Sequence, residues 1–124
     1  MISHLVLFTP KRDLSADDSR LFAQSIVETF RQVGSLDRAT VGRAVDIDAG
    51  YKRNFGDKTY EFAAVLEFQD RAGLLSYLNH PLHKELGALF WRHCASTVIV
   101  EIEAADARSN DAVELLLSAR PPAL

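Results

Sequence analysis

The chain has 124 residues, of which 48% are apolar and 25% charged, and its mean hydropathy is −0.03. This composition excludes a disordered tail and a membrane protein, and no apolar run approaches the ~18 residues of a spanning helix. A net charge of −3 and a pI of about 5.7 argue against a nucleic-acid partner. A single domain with its own core is expected. The opening residues, MISHLVLFTP, carry neither a basic leader nor a small-residue cleavage site, so a secretory signal is not expected. Cys94 is the only cysteine, so an intrachain disulfide is excluded and a zinc set of four cysteines, or of two cysteines and two histidines, cannot be assembled. A reducing, cytoplasmic location is the expectation, with no metal and no cofactor.

The elements follow in chain order. Residues 2 to 8 read as a strand with Ile2, His4, Val6 and Phe8 on one side and Ser3, Leu5 and Leu7 on the other. Both sides are mostly apolar, so both need cover. Pro10 stops the strand because it has no N–H for a ladder. Ser15 and Asp18 resemble a capping box opening a helix over 16 to 33. Leu21, Phe22, Ile26, Phe30 and Val33 form its apolar face, and Gly34 suits a left-handed stop.

Residues 39 to 47 read as a second strand, with Val41, Arg43, Val45 and Ile47 sharing a side. A polar loop over 48 to 57 follows. A third strand covers 58 to 68, where Tyr60, Phe62, Ala64, Leu66 and Phe68 alternate. Asp70 caps a short helix bearing Leu74, Leu75 and Leu78. Pro81 breaks that helix and starts the next, which carries Leu82, Leu86, Leu89 and Phe90. A last strand spans 96 to 103, with Val98, Val100 and Ile102 on one side. Beyond it, AVELLLSA is expected to form one or two helical turns that dock on a barrel, and RPPAL to fray.

The order β-α-β-β-α-β is the split βαβ, ferredoxin-like pattern: an α+β sandwich with helices on one face of a four-stranded antiparallel sheet. The other face is too apolar for water, and a second copy of the same sheet is its simplest cover. A homodimer closing into an α+β barrel is therefore expected. Residues 1 to 103 make up the domain and 104 to 124 a C-terminal extension.

Chemistry concentrates around the helix break. Tyr77, His80 and His83 flank Pro81, which fixes the backbone between two imidazoles close to a phenol. Histidine titrates where a general base is useful, and a tyrosine hydroxyl can donate to a developing oxyanion. Each residue also has a plainer role: His80 as a helix cap, His83 as a surface residue, Tyr77 as packing and His93 as structure. His4, alone on an apolar strand side, is either paired in the core or lines a pocket. His80 and His83 are three apart, but Pro81 spoils metal-ligand geometry between them.

The opening Met1-Ile2-Ser3-His4-Leu5-Val6-Leu7-Phe8, the stretch Val65-Leu66-Glu67-Phe68-Gln69-Asp70, and above all Tyr77-Leu78-Asn79-His80-Pro81-Leu82-His83 resemble the stress-responsive α/β-barrel (Dabb) family. The resemblance covers residues 1 to 103 and implies a ferredoxin-like unit that dimerises sheet to sheet. Most members have no established reaction. Some resemble plant polyketide cyclases, which close a polyketide by aldol chemistry without a cofactor. By that resemblance His83 is the base, Tyr77 orients or polarises the substrate carbonyl, and His4, Phe62 and His80 belong to the ligand-binding surroundings. Phe62 stands where the cyclase has a further pocket histidine, which favours a more apolar pocket. The resemblance leaves two classes open. One is a cofactor-independent cyclase or lyase acting on small apolar, aromatic or polyketide-like ligands. The other is a non-catalytic binding or stress-associated protein. A cofactor-free monooxygenase-like activity is a further relative's chemistry, without a motif of its own here.

Overall fold

A computed structural model describes residues 1–57 and 59–118. Its elements are β1 (Ile2–Pro10), α1 (Ala16–Gln32), β2 (Arg38–Arg43), α2 (Tyr51–Phe55), β3 (Phe62–Phe68), α3 (Arg71–Leu78), α4 (Pro81–His93), β4 (Cys94–Glu103) and α5 (Asn110–Leu117). The strands form one antiparallel sheet in the order β2-β3-β1-β4. This is the ferredoxin-like arrangement that the strand and helix periodicities predict.

Register fixes which side chains share a face. His4 lies opposite Leu66 on β3 and Glu101 on β4; Val6 opposite Ala64 and Ile99; Phe8 opposite Phe62 and Thr97. That face carries the core. Val6, Phe8, Ala64, Leu66 and Phe68 pack against Phe22 and Ile26 of α1, Leu74 and Tyr77 of α3, and Leu86 of α4. Leu66 and Phe68 are fully enclosed. The opposite face presents Leu5, Leu7, Val65, Val98, Val100 and Ile102. No helix among the described residues covers it, and Val98, Val100 and Ile102 stay exposed.

Local signals set most element ends. The Asp18 N–H donates to Ser15 Oγ at 3.0 Å and the Gly73 N–H to Asp70 Oδ1 at 2.9 Å, two of the caps read from the sequence. Other expectations need correction. Gly34 is not left-handed; Gly56, at φ 87°, is the positive-φ residue among those described. The second strand ends at Arg43, not 47, with a last ladder bond from the Ala44 N–H to the Glu61 carbonyl. Beyond that point Asp46 and Asp48 resist a strand and β3, which starts at Phe62, offers no partner. Val45 and Ile47 are left exposed. Val41 pairs with Ala64 and so faces the helices, on the side of the sheet opposite Val98 and Val100. Leu21 and Leu75, expected in the core, are on the surface.

The segment expected as loop includes the one-turn α2, and β4 begins two residues early, at Cys94. Helix α5 forms as expected, capped by Ser109, yet Val113, Leu116 and Leu117 point outward from the protomer. The third strand begins at Phe62, so Thr59, Tyr60 and Glu61, expected within it, precede it; Lys58 itself and the expected fraying of RPPAL fall outside the described residues.

Candidate active site

The break between α3 and α4 is a small closed system of hydrogen bonds. In a continuous helix the Leu82 N–H would bond to the Leu78 carbonyl four residues back. Pro81 ends that ladder, having no N–H and a ring that clashes with the preceding turn. The Leu82 N–H donates instead to His80 Nδ1 at 3.1 Å, so His80 is the N-cap of α4 and Pro81 its first residue. The Leu78 carbonyl, freed at the end of α3, accepts from the Nδ1–H of His83 at 3.1 Å. A carbonyl can only accept, so this bond puts the His83 proton on Nδ1 and leaves Nε2 as the basic nitrogen.

The same bond turns the His83 imidazole against the Tyr77 ring, edge to face, with centroids 4.6 Å apart. Tyr77 in turn meets the His4 ring at 5.7 Å in a T-shaped contact. His4 is buried, and its Nδ1–H donates to Glu101 Oε1 at 2.9 Å. The carboxylate fixes the ring of His4 as the Leu78 carbonyl fixes that of His83. A chain Glu101–His4–Tyr77–His83 thus crosses from β4 through β1 to the helix break.

His4, Tyr77 and His83 line one open cavity of about 660 Å³. Leu86, Phe90 and Trp91 of α4 form one wall, and Ser96, Thr97 and Ile99 of β4 another. Trp91 is 90% exposed and stands at the rim. Burial raises the Tyr77 phenol to about 12, so it stays a donor at neutral pH. His83 is held below the ordinary imidazole value, mainly by burial and slightly by the nearby His4; the Leu78 carbonyl works in the opposite sense. Its Nε2 is therefore unprotonated and available as a base at neutral pH. Cys94 also borders the cavity, and burial lifts its thiol. Among the described residues no group of His, Cys, Asp and Glu could hold a metal ion.

The structure thus brings together His83, Tyr77 and His4 of the residues singled out from the sequence. It does not bring Phe62 to them: Phe62 packs on Phe8 at 5.6 Å and lines a different cavity. His80 spends its Nδ1 on the helix cap. His93 is buried against Phe22, in keeping with its structural role. Glu101 was missed. The available signal was an acid on the inward phase of an apolar strand, and it becomes informative only once β4 is known to pair with β1.

Comparison with known proteins agrees with this architecture. Residues 2–104 match the model of the Stress responsive A/B Barrel Domain, Dabb, and the chain belongs to that family. No curated protein matches it. Among solved structures, a dimeric ferredoxin-like protein of unknown function from Thermobifida fusca is 21% identical, with a TM-score of 0.65 over 83% of this chain and 90% of that one. A Dabb family protein with a ferredoxin-like fold from Mesorhizobium loti is 18% identical, with a TM-score of 0.65 over 85% of this chain and 97% of that one. Hydroxynitrile lyase from Passiflora edulis is 16% identical, with a TM-score of 0.66 over 82% of this chain and 90% of its own.

The depressed His83 value has a consequence for stability. The unfolded chain takes up this proton near 6.5, before the folded protein does. The contribution is complete above that pH and is lost as acidification passes from the ordinary value down through the lower folded value. Melting temperature should fall from pH 7 to pH 5, and the slope should be shallower in His83→Gln. Parallel slopes in the two proteins would contradict this assignment.

Proposed function

We propose that the protein is a cofactor-independent enzyme that performs acid–base chemistry on a small carbonyl compound of aromatic or polyketide-like character. The observation that carries the reading is the Tyr77–His83 pair opening onto one cavity, with Nε2 of His83 left basic by the Leu78 bond. Nε2 takes a proton from an acidic C–H beside the carbonyl. The C–H electron pair moves into an enolate whose oxygen accepts from the Tyr77 hydroxyl. In an aldol closure the enolate carbon bonds to a second carbonyl of the same chain, and the proton on His83 passes to the new alkoxide. Nothing is oxidised or reduced. His4, held by Glu101, shapes the floor beside Tyr77. The presence of a hydroxynitrile lyase among the structural relatives supports base chemistry of this kind.

Exchange of a C–H proton tests the base directly. Benzoylacetone, an aryl β-diketone, should exchange its central C–H for deuterium faster with the protein than in buffer, as read by NMR. His83→Ala should lose about a hundredfold or more of that acceleration, and Tyr77→Phe less, because the ring stays. No acceleration, or acceleration untouched in His83→Ala, would displace this reading in favour of a non-catalytic binding protein.

The proposal includes a homodimer formed through the uncovered sheet face. Leu5, Leu7, Val65, Val98, Val100 and Ile102 stand side by side on a sheet face that no described helix covers, a contiguous apolar patch of the kind that marks an interaction surface. Stable interfaces of this apolar kind commonly exceed ~2,000 Å² in total. Descriptions of several structural relatives as dimeric support it. Sedimentation should give a dimer at tens of micromolar, and Val100→Asp should shift it to monomer. A wild-type monomer at that concentration would contradict the proposal.

A further inference from the structure

Helix α5 lies beyond residues 2–104, the span of the family domain, and takes no part in the sheet or in either cavity described above. Its connector is closed by hydrogen bonds. The Ala104 N–H donates to the Met1 carbonyl at 2.9 Å. The Arg108 N–H donates to Asp106 Oδ1 at 3.0 Å, and the Ser109 hydroxyl to the Asp106 carbonyl at 2.7 Å. These bonds hold the helix close to the last residues of β4. At eight residues α5 is shorter than the ~12–15 at which an isolated helix becomes even marginally stable, so packing has to supply the rest. Its own protomer supplies only part. Ala112 and Leu115 are half-buried, whereas Val113, Leu116 and Leu117, on the adjoining arc of the helix, are exposed. Asp111 and Glu114 make up the polar arc and have no ion-pair partner among the described residues.

A surface of matching character stands on the segment between β2 and β3. Val45, Ile47, Tyr51 and Phe55 are exposed there. Lys52 braces the segment, reaching Asp46 at 3.9 Å and Asp57 at 3.7 Å. Arg53 has no ion-pair partner among the described residues. Within one protomer the two surfaces are kept apart. β2 and β4 are opposite edges of the sheet. The segment leaves β2 at the end where Arg43, Phe62 and Phe8 are in register, and α5 leaves β4 at the end of Ile2 and Glu103. These are diagonal corners, roughly 25 Å apart by strand rise and spacing.

The homodimer proposed above removes that separation. Two such sheets closing into a barrel set β4 of one protomer along β2 of the other, because closure leaves no free edge. Barrel strands tilt by about 35–45° to the barrel axis. With a right-handed crossover from β1 through α1 to β2 and a right-handed strand twist, that tilt brings these two corners, and not the other pair, to mid-height on the seams. A two-fold along the barrel axis then lays α5 of one protomer beside the β2–β3 segment of its partner. We propose that α5 docks on a second copy of this chain, with Leu116 and Leu117 against Tyr51 and Phe55 and the acids of α5 facing Arg53. The docking rests on the homodimer reading and adds to it an interlock at both seams that residues 2–104 alone do not supply.

Sedimentation equilibrium of the full chain reads the dimer, and surface substitutions read the docking. Leu116→Asp with Leu117→Asp should raise the dimer Kd about tenfold or more, and so should Phe55→Ser. Combining the two sets should raise it little further, since both remove the same contact. A disulfide separates contact within a chain from contact between chains. In a Cys94→Ser background, Phe55→Cys with Leu117→Cys, oxidised by diamide, should give a species of twice the monomer mass on a non-reducing gel, while either single variant stays at the monomer mass. A dimer whose Kd is unmoved by both sets of substitutions, or a disulfide closed within one chain, would overturn the docking and leave the dimer standing. A wild-type monomer at tens of micromolar would overturn both.

Discussion

The site depends on one interrupted hydrogen bond. Because Pro81 removes an N–H and forbids a continuous helix, the Leu78 carbonyl and the Leu82 N–H cannot satisfy each other. Both find imidazoles instead: His80 accepts from Leu82, and His83 donates to Leu78. A buried backbone group left without a partner costs about 1–3 kcal/mol, and these part-buried groups avoid a share of that cost through the substitute bonds. One imidazole is consumed as a cap. The other is turned onto Tyr77 in a fixed tautomer, with its free nitrogen on the ring edge away from the backbone. The His-Pro-x-His spacing therefore has a structural use and a chemical one, divided between its two histidines.

The sheet supplies the remainder of the site through register. With β1 central, between β3 and β4, the inward phase of β1 places His4 against Leu66 on one side and Glu101 on the other. His4 could not sit neutral and unpaired among apolar neighbours without cost. Glu101, on the edge strand with its side chain 44% exposed, meets that need. The same phase carries Val6 and Phe8 toward the helices. Phe8 joins Phe22 and Phe90 in the aromatic wall between the two cavities. The alternate phase, Leu5 and Leu7 with Val98 and Val100, leaves an apolar surface that no described helix covers.

Much of this was legible in the sequence because the periodicities were strong. Alternation in ISHLVLF and STVIVEIE, a broad apolar face around Phe22 and Ile26, and a proline between two helical runs define the element order. What could not be read depends on contacts far apart in the chain. The end of β2 at Arg43 follows from where β3 begins, and the side taken by Val41 follows from its pairing with Ala64. Glu101 looks like a solvent-facing acid until its strand is laid beside His4, 97 residues away in sequence. Phe62 was grouped with the histidines by resemblance, whereas the strand carries it to the far end of the sheet, beside the other chamber. Local caps fared better, since Ser15 and Asp70 act within three residues. Gly34 did not, because the turn after Val33 closes without a left-handed residue.

The account rests on the tautomer of His83, which nitrogen NMR reads without knowledge of any substrate. Two-bond ¹⁵N–¹H correlation spectra at neutral pH should show His83 neutral and protonated on Nδ1, and the signal should titrate below the ordinary 6.5. An Nε2-protonated ring would mean that the Leu78 bond does not hold the imidazole. A ring titrating above 6.5 would mean that burial does not hold the imidazole in its neutral form; either result would contradict the account.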